Sequence, residues 1–402
     1  MITFNDQQIE AIRKAIRWYF VDSFNQQCFT LGGLAGVGKT TVVNTIVHML
    51  GLPSHDVIFA TLTGKASLVL RLKGNPSNTI HSTFYSVYKS NNSFKFALKK
   101  RIASNIRLII LDEASMISQS MIDDIKTFNI PMLLILDPGQ VPPIFGSNEY
   151  IINSDKLDVF LTQVMRQDNI SGILQYATKA RNGEPLQLGS IGKSRVVDIN
   201  TFTDEITKFD AVLCYSNKNR RLLNKLIRSK MGYTSSFPKE NEKIVCLMNN
   251  YHYELEYDGI PIYIINGLVG YINKDAKEII RSDLNLLELQ FVPDFLRSIK
   301  DTNLKFNVVC FKEIFEQYNS NYPEKEAFIE ELYNNDIDDD ELDDICMIDY
   351  GYSITVHKSQ GSEYNNVGVF VDFRGKPDEY NKWLYTAITR AKQSVTITFP
   401  SF

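Results

Sequence analysis

Gly33-Leu34-Ala35-Gly36-Val37-Gly38-Lys39-Thr40, followed by Thr41, decides what the rest of this chain has to be. The stretch fits G-x-x-x-x-G-K-[ST], the spacing of a phosphate-binding P-loop. Cys28 to Leu31 before it is a short, β-favouring apolar run. Thr40 to Leu50 after it sets Val43, Ile46, Val47 and Leu50 at helical spacing. A glycine loop between a buried strand and a helix N-terminus can turn backbone N–H groups toward phosphate oxygens, and the helix end favours negative charge. Lys39 then reaches the β- and γ-phosphates, and the Thr40 hydroxyl ligates Mg²⁺. By itself the loop says only that a nucleoside triphosphate binds; kinases, GTPases and motors share it.

Working outward, Arg107 to Leu111 reads as a buried strand running into Asp112-Glu113-Ala114-Ser115-Met116. Two carboxylates at the end of an apolar strand, downstream of a P-loop, form a Walker B pair. Asp112 holds Mg²⁺ directly or through water, and Glu113 is the general base for the attacking water. The alternative is an acidic pair that merely opens a helix. Pro131 to Leu136 is another buried strand, leading into Asp137-Pro138-Gly139-Gln140-Val141-Pro142-Pro143, where Gln140 can sense the γ-phosphate. Arg166, after Leu161-Thr162-Gln163-Val164-Met165, is either structural or aimed at the nucleotide. Near the start, Asn5-Asp6-Gln7-Gln8 caps a helix to about Phe20 with Ile9, Ile12, Ile16 and Phe20 as its stripe. The Gln8 amide either faces solvent or reads an adenine edge.

A second set of residues suits a nucleic-acid backbone. Strand Val57 to Thr61 enters Thr63-Gly64-Lys65-Ala66-Ser67 and a helix to about Leu72; Thr79-Ile80-His81-Ser82-Thr83-Phe84 follows. Thr63, Lys65 and His81 either contact phosphates or belong to ordinary βα loops. Phe84 to Ser104 breaks the βα rhythm with a Tyr/Phe/Lys-rich run around Asn91-Asn92-Ser93, read as a hairpin followed by a short helix. Phe94 and Phe96 are its tip candidates for stacking on an unpaired base, against the alternative that these rings only pack the excursion down.

A second βα series begins with strand Ala211 to Tyr215 and a basic helix to Met231. Lys243 to Asp349 interrupts it with strand-like alternation, turns at Asp258-Gly259 and Asn266-Gly267, and an acidic tract over 324–344 that reads as a solvated face or loop. The series resumes at Tyr352, passes the polar loop His357-Lys358-Ser359-Gln360-Gly361-Ser362-Glu363, strand Val367 to Val371 and a helix to about Arg390, and closes with strand Val395 to Phe399.

Bulk properties bound the class. The 402 residues suffice for two or three domains, and 44% apolar with 22% charged residues is an ordinary soluble profile. A net charge of −4 neither advertises nor excludes nucleic acid, because a basic groove can sit on a mildly acidic protein. Five scattered cysteines without C-x-x-C argue for a reducing compartment and against a zinc site. No signal peptide or transmembrane run is expected.

Taken in order, these blocks resemble a superfamily 1 DNA helicase, and most closely the 5′→3′ branch (superfamily 1B) of the RecD-like enzymes and the phage Dda helicase. Asn5 to Ala11 resembles the Q motif, Gly33 to Thr41 motif I, Thr61 to Ser67 motif Ia and Thr79 to Phe84 motif Ib. Asp112 to Met116 resembles motif II, Asp137 to Pro143 motif III, Leu161 to Gln167 motif IV, Thr355 to Glu363 motif V and Tyr385 to Lys392 motif VI. Leu62 and Leu136 stand where the family usually has Pro and Gly, which touches loop shape and not reacting groups.

The resemblance implies an α/β protein of two RecA-like parallel-sheet domains with ATP between them. The first covers 1–168 with an inserted pin at 84–104; the second covers 169–242 and 350–402, interrupted by a largely β, SH3-like insert at 243–349. It implies an ATP site of Gln8, Gly33 to Thr41, Asp112, Glu113 and Gln140, with Arg166 and Arg390 as arginine fingers. Thr63, Lys65, His81, His357, Lys358 and the pin would contact DNA. It further implies single-stranded DNA and forks as substrates, replication or single-strand-binding proteins as partners, no membrane, and a phage enzyme in the bacterial cytoplasm. Two other readings stay open: an ATP-driven single-strand translocase that strips proteins with little unwinding, and a P-loop kinase or regulatory module whose ATPase ignores DNA.

Overall fold

The structure is a computed structural model. It describes residues 3–90, 93–143, 146, 148, 156–163, 171–281, 284–297, 304–316 and 344–400, with backbone alone at 87, 89, 90, 93–95 and 171. Arg166, the Asn91-Asn92 turn and the acidic tract up to Asp343 lie outside the described residues. The chain divides into two compact bodies. One comprises Met1–Ser194, Gln360–Glu363 and Gly375–Gln393; the other comprises Arg195–Ser359, Tyr364–Arg374 and Ser394–Phe402.

The first body is built on a six-stranded parallel sheet in the order Ser77–Thr79, Val57–Thr61, Leu108–Asp112, Met132–Leu136, Cys28–Gly33, Val159–Leu161. Its central strands are covered on both faces, so they read as unbroken apolar runs and not as alternation. Every residue of Cys28–Gly33 and of Met132–Leu136 is buried. One face packs Ala11, Ile12, Val42, Val43 and Ile46; the other packs Phe84, Ile117, Ile122 and Ile125. At about 1.5–3 kcal/mol per large buried aliphatic side chain, these two layers hold the sheet. One strand, Met132–Leu136, stands between the P-loop strand and the carboxylate strand. Three turns therefore leave adjacent strand ends at one edge: the P-loop, the Asp137 turn and the Asp112 turn. In parallel sheets that edge is where ligands bind.

The helices follow the expected pattern with two corrections. The first helix is Asp6–Arg17, and a π-helical turn Trp18–Asp22 continues it. The extra residue of that turn rotates the last positions. Trp18 points inward and donates from Nε1 to the Gln26 carbonyl at 2.6 Å, while Phe20 is 65% exposed. The buried stripe is Ala11, Ile12, Ala15 and Trp18, and neither Ile9 nor Phe20 belongs to it. The excursion is a hairpin of Tyr85–Ser90 and Ser93–Leu98, with Ser90 opposite Ser93. The expected helix after it is absent: 99–107 is turn and irregular chain.

The second body carries a second sheet in which Ala211–Cys214 lies parallel between Ser353–Thr355 and Tyr364–Phe370, with Ala391–Thr398 next and Ser194–Val197 parallel to it. Helix Asn217–Lys230, capped by the Ser216 hydroxyl, covers it. The insert is largely β. Its sheet runs Ile345–Cys346, Phe306–Phe311, Leu284–Pro293, Val269–Arg281, Lys243–Cys246, Ile348–Tyr350, and among the described residues it stays open and does not close into a barrel. Asp258 and Gly259, both at positive φ, turn the side hairpin Asn250–Tyr257 and Ile260–Ile264, the conformation of a type I′ turn.

A buried ion pair fastens the insert to helix Asn217–Lys230. Arg220 Nη1 lies 2.6 Å from Asp349 Oδ2, with side chains 4% and 2% exposed. Removing one partner strands the other charge in the interior. Asp349→Ala is therefore expected to lower unfolding free energy by about 3–5 kcal/mol, and Arg220→Met with Asp349→Leu to recover much of that. Urea unfolding of the single and double variants measures both; a single-variant loss below about 1 kcal/mol would show that the pair does not anchor the insert.

Candidate active site

The P-loop has the geometry of an anion cradle. Gly36 and Gly38 sit at φ 79° and 80°, a region costly for any residue with a Cβ. A Cβ on Gly38 would also stand 2.8 Å from Gln8 Nε2. Helix Lys39–Met49 starts at Gly38 without a side-chain cap, unlike the helices begun by Asn5, Thr63, Ser118 and Ser216. Its first N–H groups are thus left for a ligand, and a phosphate fits them. Lys39 Nζ donates to the carbonyls of Gly33 and Leu34 at 2.7 and 3.1 Å, which holds the ammonium over the loop.

The carboxylate pair lies at the next-but-one strand end. Burial, and then the neighbouring Glu113, push the Asp112 carboxyl up to about 6, against the Glu113 N–H and the Lys39 charge. A buried carboxylate of this kind is stabilised by a cation, so Asp112 with the Thr40 hydroxyl fits a divalent metal. Glu113 occupies the left-handed region at φ 52°, and its N–H donates to Asp112 Oδ1 at 2.8 Å. That conformation costs a glutamate about 1–2 kcal/mol, and strain of this kind collects at functional sites.

Asp137, buried at the third turn, organises the surroundings. Its N–H donates to Ser115 Oγ, which donates back to the Asp137 carbonyl, at 2.8 and 2.9 Å. This ties the Asp137 turn to the Asp112 turn. Its carboxylate accepts from Gly139 N–H at 3.0 Å and from the Tyr385 hydroxyl at 2.9 Å. Gln140, 4% exposed, is carried on that turn.

Helix Pro377–Ile388 completes the site. Residues Gly375–Gln393, expected in the second domain, group with the first body. Tyr385 and Thr386 bond the P-loop and the Asp137 turn, which is the physical reason. Just past the helix, Arg390 is 5% exposed. Among the described residues its guanidinium meets the Thr386 carbonyl, the Ser362 carbonyl and Thr389 Oγ1, at 3.2–3.4 Å. No carboxylate among the described residues pairs with it, so a buried positive charge is left with weak neutral partners.

The remaining expected residues are placed less uniformly. Gln8 is buried: Oε1 accepts from Asn5 N–H in a capping box, and Nε2 donates to the Val37 carbonyl at 2.9 Å. It therefore braces the P-loop from behind. Thr63 accepts from Ala66 N–H as a helix cap, and Lys65 is 9% exposed. His81 is half-buried, which pushes its imidazole below the ordinary value. Its ring centroid lies 4.9 Å from that of Phe96 and 5.7 Å from that of Tyr85. Phe96 pairs with Val87, midway down the hairpin and away from the tip. The Phe94 side chain and Arg166 lie outside the described residues. In the second body, His357 and Lys358 lie on the short helix Val356–Ser359. Sequence reasoning missed Ser115 and Tyr385, which sit in quoted motifs but reveal their contacts only in three dimensions.

Comparisons with known proteins bear on this geometry. The AAA domain family model matches residues 3–199 and the UvrD-like helicase C-terminal domain model matches 350–398. The chain is 24% identical over 502 aligned positions to the uncharacterized protein R530 of Acanthamoeba polyphaga mimivirus, covering 97% of this chain and 98% of that one. It is 23% identical to the RecD subunit of the RecBCD enzyme of Buchnera aphidicola, covering 93% and 70%. Among solved structures, Bacteroides Pif1 bound to ssDNA superposes with a TM-score of 0.53 at 16% identity, covering 98% of this chain and 92% of that one. The chain is a helicase that pairs an AAA domain with a UvrD-like helicase C-terminal domain. The fold of this helicase is likewise shared with Bacteroides Pif1 in complex with ADP-AlF3 and ssDNA, at a TM-score of 0.54 and 15% identity, with 98% and 92% covered. No helix among the described residues of the helicase is long and apolar enough to cross a membrane.

Proposed function

We propose that this helicase moves 5′→3′ along single-stranded DNA by hydrolysing ATP and opens the duplex ahead of it. The observation that supports the chemistry is that the P-loop, the carboxylate pair and the Gln140 turn end neighbouring strands of one body, which also holds Arg390. Lys39 holds the β- and γ-phosphates, and Glu113 takes the proton of the attacking water. Gln140 reads the γ-phosphate, while Arg390 and Arg166 offset the charge that develops on it. Thr40 and Asp112 would hold Mg²⁺, which when bound neutralises the phosphate oxygens. Gln8 supports the loop and can present its remaining N–H to the base.

The DNA contacts in this reading are Thr63, Lys65 and His81 in the first body and His357 and Lys358 in the second. The hairpin Tyr85–Leu98, with Phe94 and Phe96, is the separating element. The Phe96–His81 contact supports this role, because it joins the hairpin to a DNA-contacting residue. The direction rests on the RecD-like motif order and on the hairpin's place between motifs Ib and II. The setting proposed is phage DNA replication, recombination or repair in a bacterial cytoplasm.

One experiment tests the reading: ATP hydrolysis with and without single-stranded DNA, then unwinding of duplexes with 5′ or 3′ tails. DNA-stimulated hydrolysis with opening of 5′-tailed duplexes alone is expected. Opening of 3′-tailed duplexes alone would overturn the direction. Stimulation without strand displacement would identify a translocase, and hydrolysis indifferent to DNA would remove the DNA-motor reading.

A further inference from the structure

Tyr385 makes contacts that none of the roles above uses. Its hydroxyl accepts a hydrogen bond from the Ala35 N–H of the P-loop at 3.1 Å and donates to Asp137 Oδ2 at 2.9 Å. Tyr385 is 3% exposed, and the hydroxyl lies among groups whose loss of partner would be costly. Its ring lies against Gly139: a Cβ there would stand 3.0 Å from Tyr385 Cε1. The next residue, Thr386, accepts from Val141 N–H at 3.0 Å. Gln140 is thus carried on a turn whose residues on both sides, and whose leading carboxylate, are held by one helix. That helix also leads to Arg390.

We infer that Tyr385 is a positioning residue for ATP hydrolysis: its hydroxyl joins the P-loop to the Asp137 turn and so sets Gln140 against the nucleotide. A phenol serves here because one oxygen both accepts and donates, and the aromatic stem spans the packed distance from the helix. The Ala35 N–H has a single hydrogen. While Tyr385 takes it, the two turns share one register, and a shift of the P-loop is carried to Gln140 through the Asp137 carboxylate. Tyr385 does not touch the reacting atoms; it acts through Asp137 and Gln140.

This inference rests on the ATPase reading, and the test separates the two. The intact chain is assayed for ATP hydrolysis with saturating single-stranded DNA, as wild type, Tyr385→Phe, Gln140→Ala and the double variant. Tyr385→Phe keeps the ring and removes only the hydroxyl, so the fold is retained; a thermal melt on each variant gives the folded fraction. The expected result is a fall in kcat of about ten- to hundredfold for Tyr385→Phe, the effect of losing one charge-assisted hydrogen bond, with KM for ATP changed less than about threefold. In the Gln140→Ala background the same change is expected to cost less than about twofold, because two residues acting as a unit are not additive. Full additivity, or a lowered melting temperature with unchanged kcat per folded molecule, would make Tyr385 structural only and overturn the inference. If wild type itself fails to hydrolyse ATP, the ATPase reading falls instead.

Discussion

Glu113→Gln is expected to leave ATP affinity within a few-fold of wild type while hydrolysis falls by about 10²–10⁴, the usual contribution of a positioned general base. The reason is local. The amide has the same shape and keeps the strained φ of 52°, so the turn is preserved. It cannot accept a proton. It also removes the charge that helps raise the Asp112 carboxyl, so Asp112 ionises more readily. Lys39→Ala is the contrasting variant: there both binding and hydrolysis should fail, because the ammonium over the loop carbonyls is lost. Nucleotide affinity by fluorescence titration and steady-state hydrolysis distinguish the two. Near-normal turnover in the Glu113→Gln variant would show that another group takes the proton.

Arg390→Ala is expected to keep nucleotide and DNA binding while DNA-stimulated turnover drops about 10³-fold or more, the range seen when an arginine finger is removed. Among the described residues this guanidinium, 5% exposed, bonds neutral oxygens at 3.2–3.4 Å and has no carboxylate partner that would make it structural. In the proposed mechanism the anion that satisfies it is the γ-phosphoryl group in its transition state. Lysine at this position restores charge without the planar fork, and should recover only part of the rate. Single-turnover hydrolysis with and without single-stranded DNA measures the loss. Unchanged stimulated turnover in the alanine variant would take Arg390 out of the site.

Much of the ATP site is legible in the sequence because its strands are central. Leu108–Asp112 and Met132–Leu136 are buried on both faces, so each is an apolar run broken sharply by a polar turn of the candidate site. Gly38 and the helix after it are equally plain, since motif and context agree. Three-residue strands such as Ser77–Thr79 and Val159–Leu161 are too short to show a period and read as loops. The outward turn of Phe20 depends on a π-helical step that propensity does not encode. Phe96 reads as a tip residue in the sequence, but the strand register sets it opposite Val87 and against His81. The Tyr385–Asp137 bond spans 248 positions of sequence, and no local pattern announces such a partner.

The insert enters on Lys243–Cys246 and returns on Ile348–Tyr350, and these two strands are antiparallel neighbours, with Ile244 opposite Tyr350 and Cys246 opposite Ile348. The chain therefore leaves and rejoins the second body at a single seam. Once that seam is stitched, lengthening what hangs from it adds only about 0.6 kcal/mol for each doubling of a flexible loop. Changes in the length of the insert beyond these two strands leave their pairing untouched. A seam of this kind makes the size of the appended sheet a nearly free variable.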